Sequence, residues 1–346
     1  MITQVYIDNF NGLRNFVLDL AGRPFVLASG NAGSGKSAFC KALLCLRDLA
    51  IGSGTVGEVA KSRISLLPAG GLQTTLRMSF LESGDSYEYL LSFSYDRSRG
   101  EFLVEKEYVN RNGQMCANRE ENLAKVWQAG AMPMTFALDK RTSLLTTASG
   151  VLVEDPLFVV KRYLSGMLVL APVAELMNVD SVVPETWMLQ GNGGNLPNWY
   201  AWANRVNAGL RDIADGYVKR YVADAVGVEV VTDVNGMMMF ALRRLDSALQ
   251  VYDVPLSALS SSEKLSVFFA VLMAYRTVYA SSVVVVDDVS VMVQQDMRMK
   301  IAEDLRDTAG IGKQVVLFST DAAVNASVWN SDKFRFVRNR SPEVVK

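Results

Sequence analysis

Apolar side chains recur at alternate positions through the opening segment Ile2-Thr-Gln-Val-Tyr-Ile-Asp-Asn-Phe, the period of a half-buried strand. A second short strand, Phe16-Val-Leu-Asp-Leu, is predicted after a turn at Asn11-Gly12, because Asn-Gly accepts the positive φ of a tight hairpin turn. The wholly apolar run Phe25 to Ala28 reads as a buried strand. Within 72–110, Thr74 to Phe80, Tyr87 to Tyr95 and Phe102 to Val109 alternate, with Gly84-Asp85 and Arg99-Gly100 as turns. That pattern predicts an antiparallel meander. From about 119 to 225 helical spacing dominates, broken by the turn Gly191-Asn-Gly-Gly-Asn-Leu-Pro197. Strands are predicted at Val228 to Thr232 and Met237 to Arg243, with Asn235-Gly236 between them. Strand–helix alternation closes the chain: Val283 to Val286, a helix over 294–308, Gln314 to Phe318, and Phe334 to Val337. The expected organisation is a first lobe over 1–118, a helical insertion over 119–225 and a last lobe over 226–346.

The strand at Phe25 runs straight into Gly30-Asn31-Ala32-Gly33-Ser34-Gly35-Lys36-Ser37, and a good helix former follows. G-x-x-x-x-G-K-S between strand and helix is the context of a phosphate-binding loop. Its glycines permit backbone angles that aim successive N–H groups at one phosphate. Lys36 is expected to reach the β- and γ-phosphates, and the Ser37 hydroxyl to bind Mg²⁺. The motif therefore implies an ATP or GTP site.

Half of the residues are hydrophobic and 21% are charged, a globular composition. A net charge of −1 gives no general attraction to nucleic acid. The chain has no histidine, so His-based acid–base catalysis, catalytic triads and His metal sites are excluded. Cys40, Cys45 and Cys116 have neither metal-ligand spacing nor the number for a disulfide scaffold, and are expected to be reduced thiols in a cytoplasmic protein. Neither a signal peptide nor a membrane span is expected: the longest apolar stretch, Leu265 to Ala274, is about half the ~20 residues required.

Val283-Val-Val-Val-Asp287-Asp288 is an apolar strand ending in two acids. Such a strand delivers its first acid, Asp287, to a Mg²⁺ shell, and the second, Asp288, polarises the attacking water. Upstream of it, Leu256-Ser-Ala-Leu-Ser260-Ser261-Ser262-Glu263-Lys264 leads into an apolar helix. This segment resembles the signature motif of ABC-type ATPases in the branch of SMC, RecF and overcoming-lysogenization-defect proteins. The hairpin at Ile7-Asp-Asn-Phe-Asn-Gly-Leu-Arg14 and the turn Gly194-Asn-Leu-Pro197 fit the same resemblance, in particular to compact RecF-like ATPases of bacterial anti-phage defence.

The resemblance covers nearly the whole chain and implies an α/β P-loop NTPase fold, an ABC-ATPase head with a mixed sheet, an antiparallel β-lobe and a helical insertion. It also implies ATP and Mg²⁺ as cofactors and a homo-oligomer whose unit is an ATP-sandwiched dimer. In such a dimer Ser260, with Ser262 beside it, meets the nucleotide of the opposing subunit. Arg14 resembles a family arginine that touches phosphates, against a solvated turn arginine. Gln190 resembles a lobe-linking glutamine that senses Mg²⁺, against a surface glutamine. Trp199, Tyr200 and Trp202 fit helix-core packing better than base stacking, with Arg205 the one basic neighbour. The pairs Lys161-Arg162 and Arg243-Arg244 fit solvated faces.

Three departures bear on turnover. Asp288 stands where the family has glutamate, Thr320-Asp321 where it has a switch histidine, and the segment after Asp288 lacks the usual aspartate, with Asp296 nearby. They predict tight binding and slow hydrolysis. No catalytic domain is expected beyond the last strand, so the function implied is a switch or scaffold. It would hold and release a separate effector, such as a nuclease or toxin, away from any membrane. The second reading is a RecF- or SMC-like ATPase that repairs or clamps DNA.

Overall fold

The computed structural model describes residues 1–65, 73–127, 132–148, 155–279, 283–287, 293–310, 312–319, 324, 332–337 and 341–345. The chain divides into two compact units, Met1–Met167 with Asp332–Lys346, and Leu168–Ser331.

The first unit begins with β1 (Ile2–Asp8) and β2 (Phe16–Asp19), paired antiparallel. Between them Asn11 and Gly12 take φ of 47° and 88°, the two positive values of the expected turn, closed by reciprocal Phe10–Leu13 hydrogen bonds. β3 (Phe25–Ser29) is buried at four of its five positions and feeds the glycine-rich loop. The helix after the loop, α1 (Lys36–Ile51), ends at Gly52, whose N–H donates to the carbonyls of Asp48 and Leu49 at φ 77°. α2 (Val56–Arg63) starts with a Thr55–Glu58 capping box, and its Arg63 grips Asp48 of α1.

The expected meander is present as β4 (Thr74–Glu82), β5 (Asp85–Asp96) and β6 (Glu101–Arg111). It continues through β7 (Gln114–Glu120), β8 (Leu123–Val126) and β9 (Met134–Ala137). The result is an eight-stranded antiparallel sheet in the order β2-β1-β4-β5-β6-β7-β8-β9. The described residues of 119–137, expected to begin a helical insertion, are therefore largely sheet. Among the described residues of 119–225 the α-helices start with α3 (Pro156–Ser165), which packs on α1.

The second unit holds β10 (Leu168–Leu170), α4 (Leu196–Val206), α5 (Leu210–Tyr221) and the antiparallel strands β11 (Ala225–Thr232), β12 (Met238–Leu245) and β13 (Val251–Pro255). The apolar helix α6 (Ser261–Val278), β14 (Val284–Asp287), α7 (Gln295–Asp307) and β15 (Val315–Phe318) complete it. β14 pairs parallel with β10 and with β15. Trp199 and Tyr200 are buried, against Tyr275 and Phe240 respectively, as helix-core packing requires. Arg243 and Arg244 are ion-paired, to Glu229 and Asp253 and to Glu263.

The chain then returns to the first unit. β16 (Asp332–Arg335) pairs parallel with β3 and antiparallel with β17 (Glu343–Val345). Beyond β16, Phe336 contacts the rings of Phe16 and Phe39, which ties this last stretch to β2 and α1.

Candidate nucleotide site

The loop between β3 and α1 is bounded by close packing. A Cβ at Gly30 would stand 2.8 Å from the Phe336 carbonyl oxygen and 2.6 Å from Ser34 Oγ, so only glycine fits there. Gly33 and Gly35 have φ of 76° and 106°, a region that favours glycine. Ser34 N–H donates to Asn31 O at 3.1 Å and closes the turn. The Lys36 ammonium folds back over the loop and donates to the carbonyls of Gly30 and Asn31. No side chain caps α1. Its first-turn N–H groups therefore point into the loop, and a helix N-terminus of this form is an anion site. Gly30 to Ser37 thus form one strand–loop–helix turn whose free N–H groups suit an anion, with Ser37 exposed in the first turn of α1. A pocket of about 300 Å³ opens beside it, lined by Asn31, Ala32, Ser34, Arg335, Phe336 and Val337.

Leu13 explains how the N-terminal hairpin reaches the loop. It is 3% exposed, and its Cδ2 lies 2.7 Å from the position of a Cβ at Gly35. Arg14, the next residue, is exposed. The hairpin is therefore anchored to the loop by Leu13, and nothing in the alternation pattern marks that residue.

The remaining predicted residues lie in the second unit or outside the described residues. β14 runs through Val284, Val285 and Val286, all 0% exposed, and ends at the half-buried Asp287. Ligands of open α/β sheets bind outside the carboxyl ends of the strands, which is where Asp287 stands. Gln190 is exposed, and its N–H donates to Asn195 Oδ1 at 2.8 Å. The following Gly191 accepts from Ala171 N–H, just past the end of β10, the strand that pairs with β14. Within this unit Gln190 and Asp287 thus share the carboxyl edge of one parallel ladder. Asp288, Thr320 and Asp321 lie outside the described residues.

Ser260 is the N-cap of α6, at φ −64°, with Ser261 and Ser262 already helical. Serine in place of the usual glycines therefore costs no backbone strain. Ser260 Oγ accepts from Glu263 N–H and donates to Glu263 Oε2 at 2.7 Å, and Ser260 N–H donates to the same oxygen at 3.0 Å. Ser260 and Glu263 therefore form a reciprocal capping box at the start of α6. Burial pushes the Glu263 carboxyl up, but the Ser260 hydrogen bonds and the Arg244 charge outweigh it and hold its pKa below the ordinary value. The segment is also clamped from below. Asp180 accepts from Ser257 N–H at 2.7 Å and from Ser257 Oγ at 2.5 Å, and Lys264 Nζ donates to Asn178 Oδ1 at 2.6 Å. Leu256 and Leu259 are buried, which leaves Ser260 and Ser261 exposed on a fixed base.

Among the described residues, no group of three or more His, Cys, Asp or Glu side chains could hold a metal ion. No helix among them is long and apolar enough to cross a membrane.

No family model and no curated protein matches the sequence. Solved structures do match the fold. An SMC head bound to the C-terminal winged-helix domain of ScpA is 11% identical over 99% of this chain and 96% of that one, with a TM-score of 0.62. The Smc head with an extended coiled coil, bound to the C-terminal domain of ScpA and derived from Pyrococcus furiosus, is 9% identical over 99% and 95%, with a TM-score of 0.59. The recombination mediator RecF of the RecFOR pathway is 10% identical over 100% and 98%, with a TM-score of 0.52. The chain has the ABC-type ATPase fold of SMC heads and RecF, as its motifs predicted.

Proposed function

We propose that the chain binds ATP with Mg²⁺ in the Gly30–Ser37 cradle and works as a slowly hydrolysing ABC-type ATPase, switching its oligomeric state with nucleotide. The observation that carries this is the loop itself: a glycine that nothing else can replace, two left-handed glycines, an uncapped helix start and a lysine folded onto the loop carbonyls. Lys36 neutralises the β- and γ-phosphates, and Ser37 with Asp287 holds the metal, which supplies charge neutralisation on the transferred phosphoryl group. Gln190 reports on that metal, Arg14 adds a cation at the cradle's edge, and Asp288 orients the attacking water.

The exposed, rigidly based Ser260, with the half-buried Ser262 beside it, serves the nucleotide of a second copy, so ATP joins two heads. Asp288 has a carboxylate one methylene shorter than glutamate, roughly 1.5 Å, and a misplacement of about 1 Å costs ~10²-fold in rate. With no switch histidine, turnover stays low and the ATP-bound assembly persists. The effector held by it is a separate protein such as a nuclease or toxin in anti-phage defence, in a cytoplasmic setting. That the similar SMC heads were solved bound to ScpA domains supports a protein partner.

The likeness to RecF favours the second reading, a DNA-clamping ATPase. Sedimentation of the protein with ATP, ADP and neither tests the first, with dimer or larger species expected only in ATP. Salt-sensitive, ATP-dependent retention of duplex DNA decides for the second.

A further inference from the structure

We propose that Arg335 is a nucleotide-binding residue, the second cation of the P-loop site after Lys36, held by the strand beside the loop so that its guanidinium bonds a phosphate oxygen. The inference rests on the nucleotide reading of the loop and adds to it a residue that no motif marks.

Its placement follows from register. Arg335 is the partner of Ser29 in the parallel β3–β16 ladder, and Ser29 is the last residue before Gly30. Adjacent strands lie about 4.8 Å apart, so the arginine leaves the backbone one strand away from the start of the loop. The next residue fixes it there. Phe336 N–H donates to Ser29 O at 2.7 Å, and the Phe336 ring is set among Phe16 and Phe39. The Phe336 carbonyl also fills the space a side chain at Gly30 would need. The strand end and the loop are thus packed as one piece.

Alternation then decides which way Arg335 faces. Phe334 and Phe336 are 3% and 2% exposed on one face, while Arg335 is exposed on the other. There it lines the pocket of about 300 Å³ that it shares with Asn31, Ala32 and Ser34. Across the β16–β17 ladder Arg335 is the partner of Glu343. A guanidinium lodged against a phosphate cradle is suited to a phosphate oxyanion, which it bonds through a planar fork of donors.

The test is fluorescence titration of a labelled ATP against wild type, Arg335→Ala, Arg335→Lys and Lys36→Ala, with tripolyphosphate as competitor. A hydrogen bond to a charged group implies that Arg335→Ala weakens ATP by about 10- to 100-fold. Tripolyphosphate should weaken in parallel, Arg335→Lys should recover part of the loss, and the thermal midpoint without nucleotide should not move. Wild-type affinity in Arg335→Ala, beside lost affinity in Lys36→Ala, overturns the proposal. So does a loss confined to ATP with tripolyphosphate unaffected, which would assign Arg335 to the base or ribose. If wild type and Lys36→Ala alike bind nothing, the nucleotide reading itself falls, a result distinct from the other two.

Discussion

Glu263 Oε1 lies 2.7 Å from the guanidinium of Arg244, so the cap of α6 is tied to β12, the middle strand of the three-stranded sheet. The same carboxylate receives the Ser260 hydroxyl and amide. The tip expected to meet a second molecule's nucleotide is therefore already organised within one chain.

Removing that organisation should be measurable in the isolated protein. Ser260→Ala deletes the cap acceptor and is expected to cost about 1 kcal/mol, read from urea unfolding. The Glu263 carboxyl has a lowered pKa in the folded chain, so its contribution is complete above the ordinary carboxylate range. It is lost as pH falls through the lowered folded value. Glu263→Gln should flatten the acid limb of the stability–pH curve. An acid limb identical to wild type would show that the pair contributes nothing.

Lys36→Ala should leave the fold intact, since the ammonium's hydrogen bonds stay within the loop, to Gly30 O, Asn31 O and Ser34 Oγ. ATP binding should disappear, with calorimetry showing no heat where wild type saturates. If the variant also keeps the oligomer state and partner binding of wild type in ATP, the switch idea fails.

How much of this was legible beforehand follows from the strength of each local signal. The P-loop, the Asn11-Gly12 turn and β4 to β6 were readable because glycine conformations and strict alternation leave few alternatives. β8 and β9 were not. They are four residues each and mostly exposed, Leu123-Ala-Lys-Val and Met134-Thr-Phe-Ala, so burial imposes no clean period on them. The apolar pattern predicts a strand at Phe334 to Val337, two residues after the true start of β16, because Asp332 and Lys333 lack the apolar character that marks a strand start. The helical spacing before residue 225 resolves into two helices, α4 and α5, split at Asn207 to Gly209, where Asn207 Oδ1 accepts from Gly209 N–H. Leu13 and Arg335 act through neighbours distant in sequence, and one chain alone carries no mark of such proximity.

A buried polar cluster in the first unit yields a stability prediction independent of nucleotide. Glu107 is 0% exposed and accepts from Tyr89 OH at 2.6 Å, Ser143 Oγ at 2.6 Å and Leu144 N–H at 2.8 Å. Burial pushes its pKa up, against these hydrogen bonds and the nearby Arg119 charge. Glu107→Ala strands three buried donors and is expected to cost about 3–5 kcal/mol. Because the folded pKa is raised, Glu107 costs stability as pH rises from the ordinary carboxylate value to the folded one. A loss under 1 kcal/mol in Glu107→Ala would mean that the cluster relaxes into other partners.

Asp288→Asn bears on the switch. The variant keeps the cradle, Ser37 and Asp287, so ATP affinity should stay near wild type. It loses the carboxylate expected to orient the attacking water, so hydrolysis, already predicted below ~1 s⁻¹, the low end of typical enzymes, should fall further. If ATP joins two heads and hydrolysis parts them, the variant should accumulate as the joined species. Light scattering after ATP addition should then show a larger mass that persists for hours, while wild type returns slowly to the starting mass as ATP is consumed. ADP should produce the larger mass in neither protein. An Asp288→Asn protein that binds ATP yet stays single would separate nucleotide binding from assembly. The exposed serines of α6 would then have to be assigned to capping alone.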